Sequence, residues 1–121
     1  MMLRDEFYQL KAVERFEGGG RIRVQLLPES AIYAAHFKGM PVTPGACLVE
    51  MACELAAELF GGSPDVSEAS DIRFLKTILP GETTEITFEL EGMAAEGPFP
   101  CQVRVLDGET LCAKMKLVLV G

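Results

Sequence analysis

Between Ala46 and Phe60 every residue is apolar except Glu50, Glu54 and Glu58. A run of that length without a breaker predicts a helix, and a helix apolar nearly all round is expected to be buried. Pro44 and Gly45 suit its first turn, and Gly61-Gly62 suits its end. The rest of the chain alternates with the period of a strand. Arg21-Ile22-Arg23-Val24-Gln25-Leu26 and Thr83 to Glu91 alternate cleanly. Cys101 to Leu106 is joined to Leu111 through Val120 across Asp107-Gly108, a strong hairpin signal. Ala69 to Leu79 stops at Pro80-Gly81, and Phe7 to Phe16 precedes the reversing turn Glu17-Gly18-Gly19-Gly20. Pro28 to Pro44 is an irregular loop with three prolines and the only histidine, His36. One long helix with about five or six antiparallel strands is an α+β pattern. A curved sheet wrapped round the helix is its most economical arrangement.

Composition narrows this picture. The 121 residues suit a single domain, 1–121, and 49% apolar with 24% charged residues is an ordinary globular balance. The net charge of −7, with no basic run, argues against nucleic acid and against an anionic membrane surface. No apolar stretch approaches the roughly 20 residues that span a bilayer. The start, Met1-Met2-Leu3-Arg4-Asp5-Glu6, is not a secretory leader, so a cytoplasmic location is expected. Cys47, Cys53, Cys101 and Cys112 lack metal-type spacing and read as four reduced core thiols. No metal or cofactor is expected.

Chemistry concentrates between His36 and Glu50. His36 is the natural base, because imidazole alone titrates near neutrality unperturbed. Glu50 lies about one turn into the expected buried helix, where desolvation favours a protonated carboxyl able to act as an acid. Gly45 stands at the helix N-terminus, whose free N–H groups favour negative charge. These are the parts an elimination of water needs: a base, an acid and a dipole for the developing enolate. Spacing alone leaves blander readings open. A lone histidine in a Pro/Gly loop is often structural, and glutamates every four residues usually mark a helix's wet face.

The surrounding residues go further. His36-Phe37-Lys38-Gly39-Met40-Pro41-Val42-Thr43-Pro44-Gly45, with Glu50 at 14 positions from the histidine, closely resembles the signature of bacterial 3-hydroxyacyl-ACP dehydratases of type II fatty-acid synthesis. Ile72-Arg73-Phe74-Leu75-Lys76-Thr77-Ile78-Leu79-Pro80-Gly81-Glu82 is similar to that family's strand and Pro-Gly-acidic turn. The resemblance covers roughly residues 20 to 120. It implies a hotdog fold and a homodimer, open to further assembly, with two sites at the interface. His36 of one chain would face Glu50 of the other across an acyl tunnel lined by Phe37, Pro44 and Phe74. The Gly45 N–H would polarise the thioester carbonyl, and the Val42 carbonyl would orient the imidazole. Lys38, Arg73 and Lys76 are candidates for a basic lip that meets an acidic acyl carrier protein, or CoA, with scattered solvated charge as the plain alternative.

The chain also departs from that family. Glu54 stands where Gln is usual, which either raises repulsion around Glu50 or signals a different supporting network. Lys38 replaces a common Pro, and the usual aromatic-Pro run before the first strand is missing. A specialised acyl or polyene pathway would suit such a branch. Two further readings stay in view: a hotdog thioesterase, disfavoured by retention of both His36 and Glu50, and a non-catalytic acyl-binding subunit that pairs with another hotdog chain.

Overall fold

The computed structural model describes residues 3–27, 30, 43, 45–60, 65–79, 85–92 and 99–120. Within them lie strands β1 (Tyr8–Phe16) and β2 (Gly19–Leu26), helix α1 (Gly45–Phe60), and strands β3 (Asp65–Phe74), β4 (Glu85–Gly92), β5 (Phe99–Asp107) and β6 (Thr110–Val120). The strands form one antiparallel sheet in the order β1-β2-β4-β5-β6-β3, so β1 and β3 are its edges. Among the described residues, one helix lies against an antiparallel sheet, the hotdog architecture the sequence led us to expect.

Alternation fixes which side of the sheet meets α1. Ile22, Val24 and Leu26 of β2, Ile86, Phe88 and Leu90 of β4, Val103 and Val105 of β5, and Ala113, Met115 and Leu117 of β6 are all buried. Their neighbours in sequence point the other way. The helix offers Leu48, Met51, Ala52, Leu55, Ala56 and Leu59 to this core, a stripe at helical spacing. Burial is therefore one-sided. Cys47, Val49, Cys53 and Ala57 are only half-buried and Ala46 and Glu50 are exposed, although composition pointed to a helix buried all round.

Three boundaries differ from the sequence reading. The first reversal needs only Glu17-Gly18, with Gly18 at φ 82°; Gly19 and Gly20 already belong to β2 and are buried. The third strand begins at Asp65 and ends at Phe74, so Leu75 to Leu79 leave the ladder. A bulge in β3 is the third. Ser70 pairs with Lys116 but Arg73 pairs with Lys114, so two residues of β3 face one of β6, and Asp71 there has φ 51°. That extra residue changes the phase of the strand. Arg73 consequently lies beside the exposed Lys114, and Phe74 lies beside the buried Ala113 on the helix side.

The N-terminal segment is anchored to α1 by Glu54. Its carboxylate accepts hydrogen bonds from the Leu3 N–H at 2.8 Å, the Arg4 N–H at 3.0 Å and the Tyr8 hydroxyl at 3.0 Å. Arg4 also pairs with Glu58 at 3.4 Å. Leu3, Phe7 and Tyr8 are buried beneath these contacts. All four cysteines are free, but only Cys101 and Cys112 are core residues; Cys47 and Cys53 are half-buried.

Candidate active site

The chain enters α1 through Thr43, whose backbone N–H donates to the Ile78 carbonyl at 2.9 Å. On the far side, the Leu75 and Lys76 N–H groups both donate to the Cys112 carbonyl, at 2.8 and 3.1 Å. These bonds hold the segment after β3 beside the helix N-terminus. Between them is a hollow of about 310 Å³. Thr43, Gly45 and Leu48 line it from the helix side, and Phe74 to Ile78 line it from the strand side.

Gly45 makes the close approach possible. A Cβ there would stand 2.5 to 3.0 Å from three ring carbons of Phe74, so the aromatic ring lies directly against the first residue of the helix. The opening N–H groups of a helix have no intrahelical partner and carry a partial positive charge. The hollow thus combines apolar walls, a helix N-terminus and one cation, Lys76. That combination suits a thioester carbonyl with an apolar chain attached.

Of the residues singled out from sequence, Gly45, Phe74 and Lys76 meet at this hollow. Arg73 does not; the bulge places it on the outer face of the sheet. Glu50 does not line the hollow either. It lies two residues beyond Leu48, about 200° round the helix. Glu50 is exposed, not buried as the sequence reading expected. Glu54 is half-buried and engaged with the N-terminal segment. His36, Phe37, Lys38, Val42 and Pro44 lie outside the described residues. Sequence reasoning passed over Leu48, Leu75 and Ile78 as wall residues. Only Leu48 had a usable signal, its place in the apolar stripe of α1.

Burial and neighbouring carboxylates set the other titrations. Burial first, then the Glu54 carboxylate, push the Tyr8 phenol well above its ordinary value. Burial pushes the Cys101 thiol up to about 12, and also raises Cys47, Cys53 and Cys112. Among the described residues no group of three or more His, Cys, Asp or Glu is placed to hold a metal ion. No helix among them is long and apolar enough to cross a membrane.

A family model described as "ApeI-like: ApeI dehydratase" matches residues 14–115, from the second half of β1 to the middle of β6. The chain belongs to this family. It is a dehydratase of the hotdog fold. A 3-hydroxyacyl-[acyl-carrier-protein] dehydratase FabZ from Clostridium perfringens is 26% identical over 96 residues, covering 74% of this chain and 69% of that protein. Among solved structures, the dehydratase heterocomplex ApeI:P from Xenorhabdus doucetiae superposes with a TM-score of 0.69 at 16% identity, covering 93% of this chain and 97% of that one. A Streptococcus mutans protein bound to acetyl-CoA also gives a TM-score of 0.69, at 11% identity, covering 97% of this chain and 90% of that one. At those identities the two structures speak to fold.

Proposed function

We propose that this dehydratase eliminates water from a (3R)-3-hydroxyacyl thioester carried on an acyl carrier protein, giving the trans-2-enoyl thioester, in fatty-acid or specialised lipid synthesis in the cytoplasm. The observation that carries this reading is the hollow at the N-terminus of α1, floored by Gly45 against Phe74. It stands at the end of the segment that bears the dehydratase signature. The thioester carbonyl takes hydrogen bonds from the Gly45 N–H as charge develops on its oxygen. His36, oriented by the Val42 carbonyl, removes the proton α to the carbonyl. Protonated Glu50 gives its proton to the departing hydroxyl, which leaves as water. Phe37, Pro44 and Phe74 flank the acyl chain. Glu54 serves this site from behind, by fixing α1 to the N-terminal segment.

A second chain completes the arrangement. Glu50 is exposed and forms no hydrogen bond or ion pair with another described residue. The edge strand beside the hollow exposes Ile72 and Phe74, at 38 and 53%, and Leu75 directly after it is 56% exposed. Such an apolar edge invites strand pairing. A second copy docked there would cover it and bring its own Glu50 toward the first chain's His36. The heterocomplex named for the Xenorhabdus relative supports a second version, in which a different hotdog subunit takes that place.

The test is hydration of trans-2-enoyl thioesters, followed spectrophotometrically over a series of chain lengths. His36→Ala and Glu50→Gln are each expected to lower the rate by about 10²- to 10⁴-fold. An inert preparation that gains activity only with a second hotdog subunit supports the paired version. Thiol release without change in enoyl absorbance would sink the dehydratase assignment in favour of thioester hydrolysis.

A further inference from the structure

Residue pairing aligns six charged side chains in one line across the outer face of the sheet. From β1 to β3 they are Glu14, Arg21, Glu89, Arg104, Lys114 and Arg73, each the register partner of the next. One half of the line is neutralised. Arg21 reaches Glu14 at 3.8 Å and Glu89 at 2.8 Å, and Arg104 shares Glu89 at 3.1 Å. The other half is not. Neither Lys114 nor Arg73 has an acidic partner within 4.0 Å among the described residues, and both are exposed. Lys116 stands two residues along β6, opposite Ser70 and Gln102.

Four of the chain's 11 lysines and arginines thus gather on the outer face of β5, β6 and β3, in a protein of net charge −7. Glu68 and Asp71 are the acids on that part of β3, and Glu89 marks the border. Like charges directly opposite each other in a sheet are destabilising. Arg104, Lys114 and Arg73 form two such pairs in succession, and only Arg104 has a carboxylate to relieve it. Nothing in the fold requires this arrangement.

We propose that the outer face of β5, β6 and β3 is the docking surface for an acidic partner protein, the carrier that presents the thioester; this rests on the activity proposed above. Three adjacent strands at about 4.8 Å spacing present an open sheet face, not a cleft, which suits the face of a small acidic protein better than a free nucleotide phosphate. An anionic lipid surface is disfavoured, because the remaining charge of the chain is repelled by it. Position supports the same partner. Arg73 on the outer face is followed directly by Phe74 at the hollow, so a carrier on the strip stands one residue from a wall of the site.

Lys114→Glu tests this directly. The new carboxylate would lie between Arg73 and Arg104, so the thermal midpoint should stay level or rise. Binding of a purified bacterial acyl carrier protein, read by fluorescence anisotropy, should weaken tenfold or more and lose most of its salt dependence. The ratio of KM for crotonyl-carrier to KM for crotonyl-CoA should rise by the same factor. Wild-type protein that does not bind the carrier, or an unchanged ratio in the variant, overturns the proposal. Retained carrier binding with lost sedimentation on phosphatidylglycerol vesicles would reassign the strip to lipid, which also overturns it. Because carrier binding needs no turnover, an inactive but carrier-binding protein would refute the proposed reaction and leave the docking surface standing.

Discussion

Replacing Glu54 with Gln should destabilise the fold by about 2–3 kcal/mol, although the two side chains are nearly the same size. The carboxylate accepts three hydrogen bonds, one on Oε2 from Leu3 and two on Oε1 from Arg4 and Tyr8. A hydrogen bond to a charged group contributes about 1.5–3 kcal/mol, and a neutral one about 1 kcal/mol. Glutamine keeps an oxygen for two of the three donors at neutral strength, but turns an N–H₂ toward the Leu3 N–H. One bond is lost and two are weakened. Glu54 is only half-buried, which holds the total toward the lower part of the sum. The segment itself should stay docked, because burying Leu3, Phe7 and Tyr8 stabilises it by about 1.5–3 kcal/mol per side chain.

Urea denaturation at fixed protomer concentration measures this, since any association makes stability concentration-dependent. With a slope of about 1–3 kcal/mol per molar urea, the midpoint should fall by about 0.7–3 M. Tyr8→Phe removes one of the three bonds and should cost about 1.5–2 kcal/mol. The two changes share a bond, so the double variant should cost less than their sum by about 1 kcal/mol. A Gln variant within 0.5 kcal/mol of the parent, or strictly additive costs, would refute the carboxylate clamp.

Two other outcomes follow from the structure. Cys101 and Tyr8 both hold their protons more tightly when folded, so their contribution is intact at neutral pH and lost as pH rises. For Cys101 the loss starts near the ordinary thiol value of 9 and runs to about 12, at about 1.4 kcal/mol per pH unit; urea midpoints across that window should fall, and Cys101→Ala should flatten the slope. Gly45→Ala should leave stability within about 1 kcal/mol, because the atoms its Cβ meets are the far end of a half-exposed ring that can swing aside. It should nevertheless lower kcat/KM by about 10², since moving the floor of the hollow by about 1 Å misplaces the thioester; steady-state kinetics beside thermal melts check both halves.

Alternation and a single long apolar run were enough for the architecture, because inner-face residues such as Ile22, Val24 and Leu26 show their period directly. The phase of β3 was not legible in that way. Its bulge at Asp71 and Ile72 inserts one residue, and no pattern of apolar positions announces an insertion. Read without it, Phe74 and Arg73 exchange faces. Arg73, named from sequence with Lys38 and Lys76 for a basic lip that meets a carrier, is sent by the folded strand to the outer face, away from the hollow that Lys76 lines. Aspartate tolerates a positive φ better than most residues, a signal recognisable only once the bulge is known. The site was half legible. Gly45, Phe74 and Lys76 were named from sequence and do meet, while Leu75 and Ile78 line the hollow only because the chain leaves the ladder after Phe74.

The glutamates of α1 show where periodicity stops being informative. Glu50, Glu54 and Glu58 recur every four residues and lie within one narrow sector of the helix, so any rule based on spacing gives them a common environment. The chain gives them three. Glu58 pairs with Arg4, Glu54 binds the backbone around Leu3, and Glu50 meets no described partner. What sets Glu54 and Glu58 apart is a segment some 50 positions away that crosses the second half of the helix. Glu50, on the turn next to the helix N-terminus, is exposed and gets no partner from the described residues. The proposed elimination therefore assigns the cover of Glu50 to a second subunit. A monomeric form of this protein should bind acyl thioesters at Gly45 and fail to dehydrate them.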